Sequence, residues 1–270
     1  MILTKINNIR KGELAKKFYK KKALNENKVI DNKKYEICIF TIAFNNVDVI
    51  KYQIKFIKKN CMDNDIKHIV VDNSTSQDIS NKIKSLCIEE DIEYYKLPQN
   101  PFSLSNSHGA AVNWVCKNII DKIKVKYVGF LDHDCFLIKK IRILDRIKEL
   151  PFYGLYQERQ DKWYLWPGFC FFNLEMVNLE ELDFMPNEWG DTGASNWKIY
   201  QRYSRKEKYF SKYRLKKICD IGEEIGKQAT SVEYFDESWL HLSNASNWMQ
   251  IQTNEKEIII NNIITNYLSE

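Results

Sequence analysis

The sequence predicts an α/β domain, with a mainly parallel central sheet flanked by helices and a loop-rich second half that builds another pocket. Three observations lead there. In the first half, short apolar runs alternate with segments of helical periodicity, the order that produces right-handed crossovers and parallel strands. Each apolar run is followed within a few residues by Asn or Asp, so polar groups gather where such sheets hold ligands, beyond the carboxyl ends of their strands. The fourth run, Tyr127 to Leu131, ends abruptly in Asp132-His133-Asp134.

Tyr35 to Phe44 (YEICIFTIAF) is apolar enough for a buried strand, and Val47, Ile50, Ile54 and Ile57 follow with helical spacing. A second short strand, His68 to Val71, runs into Asp72-Asn73-Ser74-Thr75-Ser76, a helix-capping cluster ahead of Ile79, Ile83 and Leu86. The third strand is Glu93 to Leu97. A polar loop from Pro98 to Ser107 then leads to a helix carrying Ala110, Ala111, Trp114 and Val115. After the fourth strand the character changes: Tyr153 to Gln157 and Trp163 to Asn173 complete the sheet, and an aromatic-rich, loop-heavy tract extends to Trp248. Ile258, Ile259, Ile260, Ile263, Ile264 and Leu268 mark a C-terminal helix packed on the core. The expected divisions are a basic extension over 1–34, one domain over 35–250 and this helix within 251–270.

Alternation along a strand predicts that Asp132 and Asp134 project to the same side. Two unpaired carboxylates at a sheet edge are costly to desolvate unless a cation joins them. A hard divalent ion such as Mg²⁺ takes one or two carboxylates and fills its shell with water and substrate phosphate oxygens. The pair therefore points to a phosphate-bearing substrate; the bland alternative is a solvated turn. Asn45, Asn46, Asp72, Asn73 and Asn100 should converge on the same rim.

With 44% hydrophobic residues, 270 positions can bury a substantial core. No stretch reaches the roughly 20 apolar residues of a membrane span, and the N-terminus lacks the apolar segment of a secretory signal, so a cytoplasmic location is expected. Seven scattered cysteines without a CxxC indicate neither a disulfide framework nor a zinc cluster. Residues 1–34 hold eleven Lys/Arg against three Asp/Glu. A solvated extension is the preferred reading. An amphipathic stretch from Ile9 to Leu24, with Leu14, Phe18 and Tyr19 on one side, is the alternative, and it would touch the inner face of a membrane. No basic-aromatic module accompanies the charge, so nucleic acid is not an expected partner.

Taken together, these motifs resemble the GT-A (Rossmann-like) glycosyltransferases, nearest to the family 2 type of bacterial surface-glycan synthesis, over about residues 35–250. IFTIAFNN at 39–46 stands where that family has a first-strand xxPTYN motif, without the proline, and it places Ala43 and Asn45 near the nucleotide. VVDNSTSQD at 70–78 is similar to VVDDGSTD, with Asp72 kept for the nucleoside. Asn100, Ala111 and Asn113 fall in the NxGxxxAxN region, with Ser107 in the place of its glycine. The resemblance makes Asp132-His133-Asp134 the DxD motif. Asp132 would approach the donor ribose or sugar and share the metal, Asp134 would hold the metal, and His133 is counted with the donor-site residues although strand spacing turns it away from the acids. It further implies Asp191 as base with Glu188 as substitute, and His241 as a late metal ligand. His108, before Gly109, would meet phosphate or cap a helix. Trp166, Trp189 and Trp197, with Trp163, flank the acceptor side, and the QxxRW motif of processive synthases is absent.

The implied activity is an inverting transfer from a nucleotide-sugar donor, with a UDP-sugar the leading expectation, to a glycan or lipid-linked acceptor, using Mn²⁺ or Mg²⁺. Two alternatives stand beside it. A haloacid dehalogenase-like phosphatase also has DxD after an apolar strand, although Phe136 and the fourth-strand position depart from that pattern. A non-catalytic glycan-binding or assembly protein would keep the fold and lose the chemistry.

Overall fold

The computed structural model describes residues 2–29, 33–159, 161–202, 213–214, 232–242, 261, 264, 265, 267 and 268. In order these form α1 (Ile2–Tyr19), β1 (Asn25–Asn27), β2 (Ile37–Ala43), α2 (Val47–Asn60), β3 (Ile66–Asp72), α3 (Gln77–Glu89), β4 (Glu93–Lys96), α4 (Leu104–Asn118), β5 (Tyr127–Asp132) and β6 (Cys135–Leu137). They continue as α5 (Leu144–Ile147), β7 (Phe152–Arg159), β8 (Lys162–Asn173), α6 (Trp197–Tyr200), β9 (Tyr213–Arg214), β10 (Val232–Phe235) and β11 (Trp239–Leu242). The main sheet has the order β1-β4-β3-β2-β5-β8-β7. Its four central strands are parallel, while β1, β8 and β7 each run antiparallel to their neighbour in sequence of pairing. The expected mainly parallel sheet flanked by helices is the observed architecture.

All seven residues of β2 are buried, as a strand covered on both faces requires. Cys38, Phe40 and Ile42 pack with Ala110, Ala111 and Trp114 of α4. On the other face Ala43 and Val70 meet Ile50 and Ile54 of α2 and Ile83 of α3. Both of these helices start with a side-chain cap: Asn46 accepts from Val49 N–H and Ser76 from Ile79 N–H, satisfying donors that helix ends leave orphaned.

Register aligns the carboxyl ends, with Ala43 opposite Asp72, Ile42 opposite Asp132 and Asp72 opposite Lys96. From β2 the chain steps outward through β3 to β4, then returns to place β5 on the other side of β2. The resulting crevice between β2 and β5 is the topological switch point where open α/β sheets bind ligands.

A second sheet, β6-β11-β10-β9, branches from the end of β5. Ile264 is buried against it with Val49, Phe56, Phe136 and Leu240, and residues 261, 264, 265, 267 and 268 are helical. The remainder of the C-terminal helix expected from the sequence lies outside the described residues, as does the tract from 243 to 248. The six described cysteines are free.

The N-terminal segment departs from the solvated extension expected. α1 ends with Phe18 buried in the main core, Tyr19 Oη accepts from Asn113 Nδ2 at 3.0 Å, and Trp114 Nε1 donates to Lys21 O at 2.9 Å. β1 then joins the sheet edge. Leu14, expected on the same apolar side as Phe18, is 45% exposed, so no continuous apolar stripe forms. Aromatic anchors with long-range partners dock this basic segment, and charge counting does not register them. Among the described residues no helix is long and apolar enough to cross a membrane.

Candidate active site

β5 ends at Asp132, and His133 and Asp134 form the turn into β6. Strand alternation therefore does not operate across the pair, which corrects the expectation that both carboxylates leave one strand face. Both line the same cavity, each with its own partner. Gln53, wholly buried on α2, fixes the turn: its Nε2 donates to Asp132 O at 2.7 Å and Cys135 O at 2.8 Å, while its Oε1 accepts from Thr41 Oγ1 at 2.6 Å.

Strand pairing sets Cys135 opposite His241, and Leu242 N–H donates to Asp134 O at 3.0 Å. That register carries His241 Nε2 to within 3.4 Å of Asp134 Oδ1. Its Nδ1 contacts Glu233 Oε2, directly opposite on β10, at 2.7 Å. Burial favours the neutral ring, but Asp134 and then Glu233 outweigh it and push His241 up to about 10.

Asp134, Cys135 and His241 each present a ligand atom within 4.8 Å of the others. Burial raises the Cys135 thiol well above its ordinary value, and its Sγ donates to Gly168 O at 3.4 Å, so it is a poor ligand for a hard cation. The carboxylate and the imidazole fit a divalent ion, and Glu233 orients the ring as outer partners of metal-bound histidines do.

His108 sits in the second turn of α4, since the helix starts at Leu104, earlier than the sequence suggested. Its Nε2 is 3.0 Å from Asp132 Oδ1, but the contact is too poorly aligned to count as a hydrogen bond. Burial opposes charge on His108, yet Asp132 overrides it and the ring's pKa is raised. Burial likewise works against ionised Asp132, but His108, His241 and His133 hold its carboxyl below the usual range. His133 is buried, chiefly burial lowers its pKa, and its Nδ1 accepts from Phe44 N–H at 3.1 Å.

The cavity at the switch point measures about 700 Å³, within the range of small-molecule sites. Asn73, Asn100, His108, Asp132, His133, Asp134, Trp166, Asp191 and His241 line it, so nine of the residues expected at the site or its rim come together. Ala43, Asn45 and Asp72 stand behind the wall. Ala43 packs toward α2, and its carbonyl accepts from Asn73 N–H. Asn45, at φ 48°, clamps the β3–α3 loop through Thr75 Oγ1 and Thr75 N–H, each at 3.0 Å. Asp72 is wholly buried and accepts from Ser74 N–H at 2.8 Å and Tyr94 Oη at 2.9 Å, with Lys96 Nζ 3.5 Å away. At these positions Phe44, Ser74 and Lys96 reach the cavity instead.

Across the cavity, Asp191 belongs to a turn that ends at Gly193, whose φ of 90° favours glycine. Thr192 N–H donates to Asp191 Oδ1 at 2.7 Å, and Asp191 N–H donates to Tyr164 Oη at 3.0 Å. Glu188 is exposed and lines a neighbouring groove with Trp189. Trp197 meets Trp189 edge-on at 6.1 Å, with Lys162 Nζ 5.1 Å from both rings. Trp163 is buried against Phe152 and Tyr200. Trp166 lies beside His241, ring centroids 4.8 Å apart, over Gly168, where a Cβ would come 2.1 Å from the indole.

No protein-family model matches the chain, and no curated protein matches it. Among solved structures, it is similar to the mannosyltransferase PcManGT of Pyrobaculum calidifontis in complex with GDP-Man and Mn²⁺: 11% identity over 64% of this chain and 52% of that one, TM-score 0.42. S. aureus TarS is 14% identical over 57% and 30%, with a TM-score of 0.37. The galactosyltransferase LgtC, in complex with donor and acceptor sugar analogues, is 13% identical over 62% and 66%, with a TM-score of 0.36. The chain spans about half of the first, under a third of the second and about two thirds of the third.

Sequence reasoning missed Gln53, Glu233, Tyr164 and Thr192. Gln53 carried the one local signal, a polar residue beside Ile54 on the apolar face of a helix. Glu233 becomes relevant only once the β10–β11 register is known.

Proposed function

We propose that the chain is a metal-dependent glycosyltransferase, moving a sugar from a nucleotide-sugar donor to a hydroxyl of a glycan or lipid-linked acceptor with inversion, in cell-surface polysaccharide synthesis. The observation that carries this is the buried Asp134–His241 pair on a switch-point cavity that Asp191 also lines. In this reading Asp134 and His241, with Asp132 nearby, hold Mn²⁺ or Mg²⁺; an imidazole ligand favours Mn²⁺. Bound there, the ion would offset the charge of the leaving diphosphate. His108 adds an imidazole to the same wall.

Asp191 acts as general base. Its carboxylate takes the proton of the acceptor hydroxyl, the freed oxygen pair bonds to the anomeric carbon, and the bond from that carbon to the donor phosphate breaks. The bonding electrons leave with the nucleoside diphosphate. A single displacement inverts the centre. Thr192 and Tyr164 hold Asp191 in place for this step, as general-base catalysis requires. Glu188, exposed on the groove side, is the alternative base.

Release of nucleoside diphosphate from a panel of UDP-, GDP- and dTDP-sugars with Mn²⁺ tests the proposal. Turnover is expected from the native chain, with at least a hundredfold loss in Asp191→Asn, the lower end of what a positioned base contributes. Release of inorganic phosphate from small phosphoesters, with no nucleotide-sugar turnover, would favour the phosphatase reading. Tight nucleotide-sugar binding without turnover would favour the binding protein.

A further inference from the structure

Asp191, Leu104 and Ser105 line two spaces at once, the switch-point cavity and a second, more open groove of about 1000 Å³. The groove leads away from Asp191 between α1 and the segment 180–195. One wall carries Lys11, Gly12 and Lys16 of α1; the facing wall carries Glu180, Glu181, Asp183 and Glu188. α1 is a fixed wall, because buried Phe18 and the Tyr19–Asn113 and Trp114–Lys21 hydrogen bonds dock its end on α4.

We propose that this groove is the acceptor channel, that the N-terminal helix forms its outer wall, and that its occupant is a neutral oligosaccharide whose terminal hydroxyl reaches Asp191. The inference rests on the glycosyltransferase reading above. Three features argue for it. A base must touch both substrates, and Asp191 is the titratable group common to the two linings. The walls offer carboxylates, lysines and the amides of Asn106 and Asn187, groups that exchange hydrogen bonds with hydroxyls. Against Lys11, Lys16 and Lys117 the lining sets five carboxylates, Asp191 included, a net negative balance that disfavours a diphosphate-bearing occupant. Gly12 also lowers the α1 wall: a Cβ there would meet nothing within 4 Å, so neither packing nor backbone conformation calls for a glycine that helices otherwise disfavour.

Gly12→Trp and Lys16→Trp should narrow the channel, and Ile9→Ala, exposed on α1 outside the groove lining, serves as control. Transfer from the turned-over nucleotide sugar to a panel of neutral oligosaccharides is measured, together with binding of its nucleoside diphosphate and Mn²⁺ by calorimetry. The two tryptophan variants should raise acceptor KM at least tenfold with kcat and nucleotide affinity within twofold of the native chain, and Ile9→Ala should be unchanged. If one tryptophan variant fails to fold, the other carries the comparison. Unchanged acceptor KM in a folded tryptophan variant overturns the channel, as does transfer confined to phosphate-bearing acceptors. Failure of every nucleotide sugar to turn over removes the glycosyltransferase reading itself, and the channel with it.

Discussion

His241 combines a donor for Glu233 with a nitrogen facing Asp134, and burial makes both contacts count more than they would in water. Its pKa, near 10 in the folded chain, lies above the unfolded value of about 6.5. The linked stability is therefore fully present below the unfolded value and lost as pH rises through the folded one. In the presence of chelator, the Tm gap between the native chain and His241→Gln should narrow from pH 6 to pH 10; a constant gap would remove the charged ring from the account. Divalent cations need the neutral ring, so Mn²⁺ affinity should rise over the same interval, as proton competition dictates. Asp134→Asn should weaken Mn²⁺ binding at least tenfold by calorimetry, the lower end of the loss expected even for outer partners of a metal site.

Two joints carry the site at the scale of elements. Gln53 binds α2 to the β5–β6 turn, and Gln53→Leu would strand the carbonyls of Asp132 and Cys135 at roughly 1–3 kcal/mol for each unpaired group, while the Thr41 hydroxyl keeps His68 Nε2 at 2.8 Å. A loss of about 3 kcal/mol in urea unfolding is expected; a loss below about 0.5 kcal/mol would show the turn to be held otherwise. The Asp191 turn depends on Gly193, where a Cβ would sit 2.7 Å from Leu165 O at positive φ. Gly193→Ala should thus lower stability and displace Asp191, and on the proposed function it should cut kcat more than nucleotide affinity. The parallel strands were legible because apolar runs and polar ends are local signals, and Asp132-His133-Asp134 was legible for the same reason. The turn between the two acids was not, since alternation assumes a strand that continues. Nor were the partners of His241, which depend on pairing β6 with a strand distant in sequence.

For the molecule as a whole, α1 and β1 extend the core and the sheet rather than trailing from them, so the basic N-terminus is part of the domain's packing. Phe18→Ala should cost about 3–5 kcal/mol, the usual range for a buried phenylalanine, read from chemical denaturation. A change near zero would detach α1 from the core and from the proposed acceptor wall. In the proposed function, the acidic turn and late histidine at the crevice between β2 and β5 would grip a cation on a nucleoside diphosphate. Anomalous diffraction at the manganese edge, from crystals soaked with Mn²⁺ and UDP, GDP or dTDP, tests it most directly. A manganese peak between Asp134 and His241, touching diphosphate oxygens in the switch-point cavity, is the predicted result; nucleotide bound elsewhere, with that pair still closed on its proton, would contradict it.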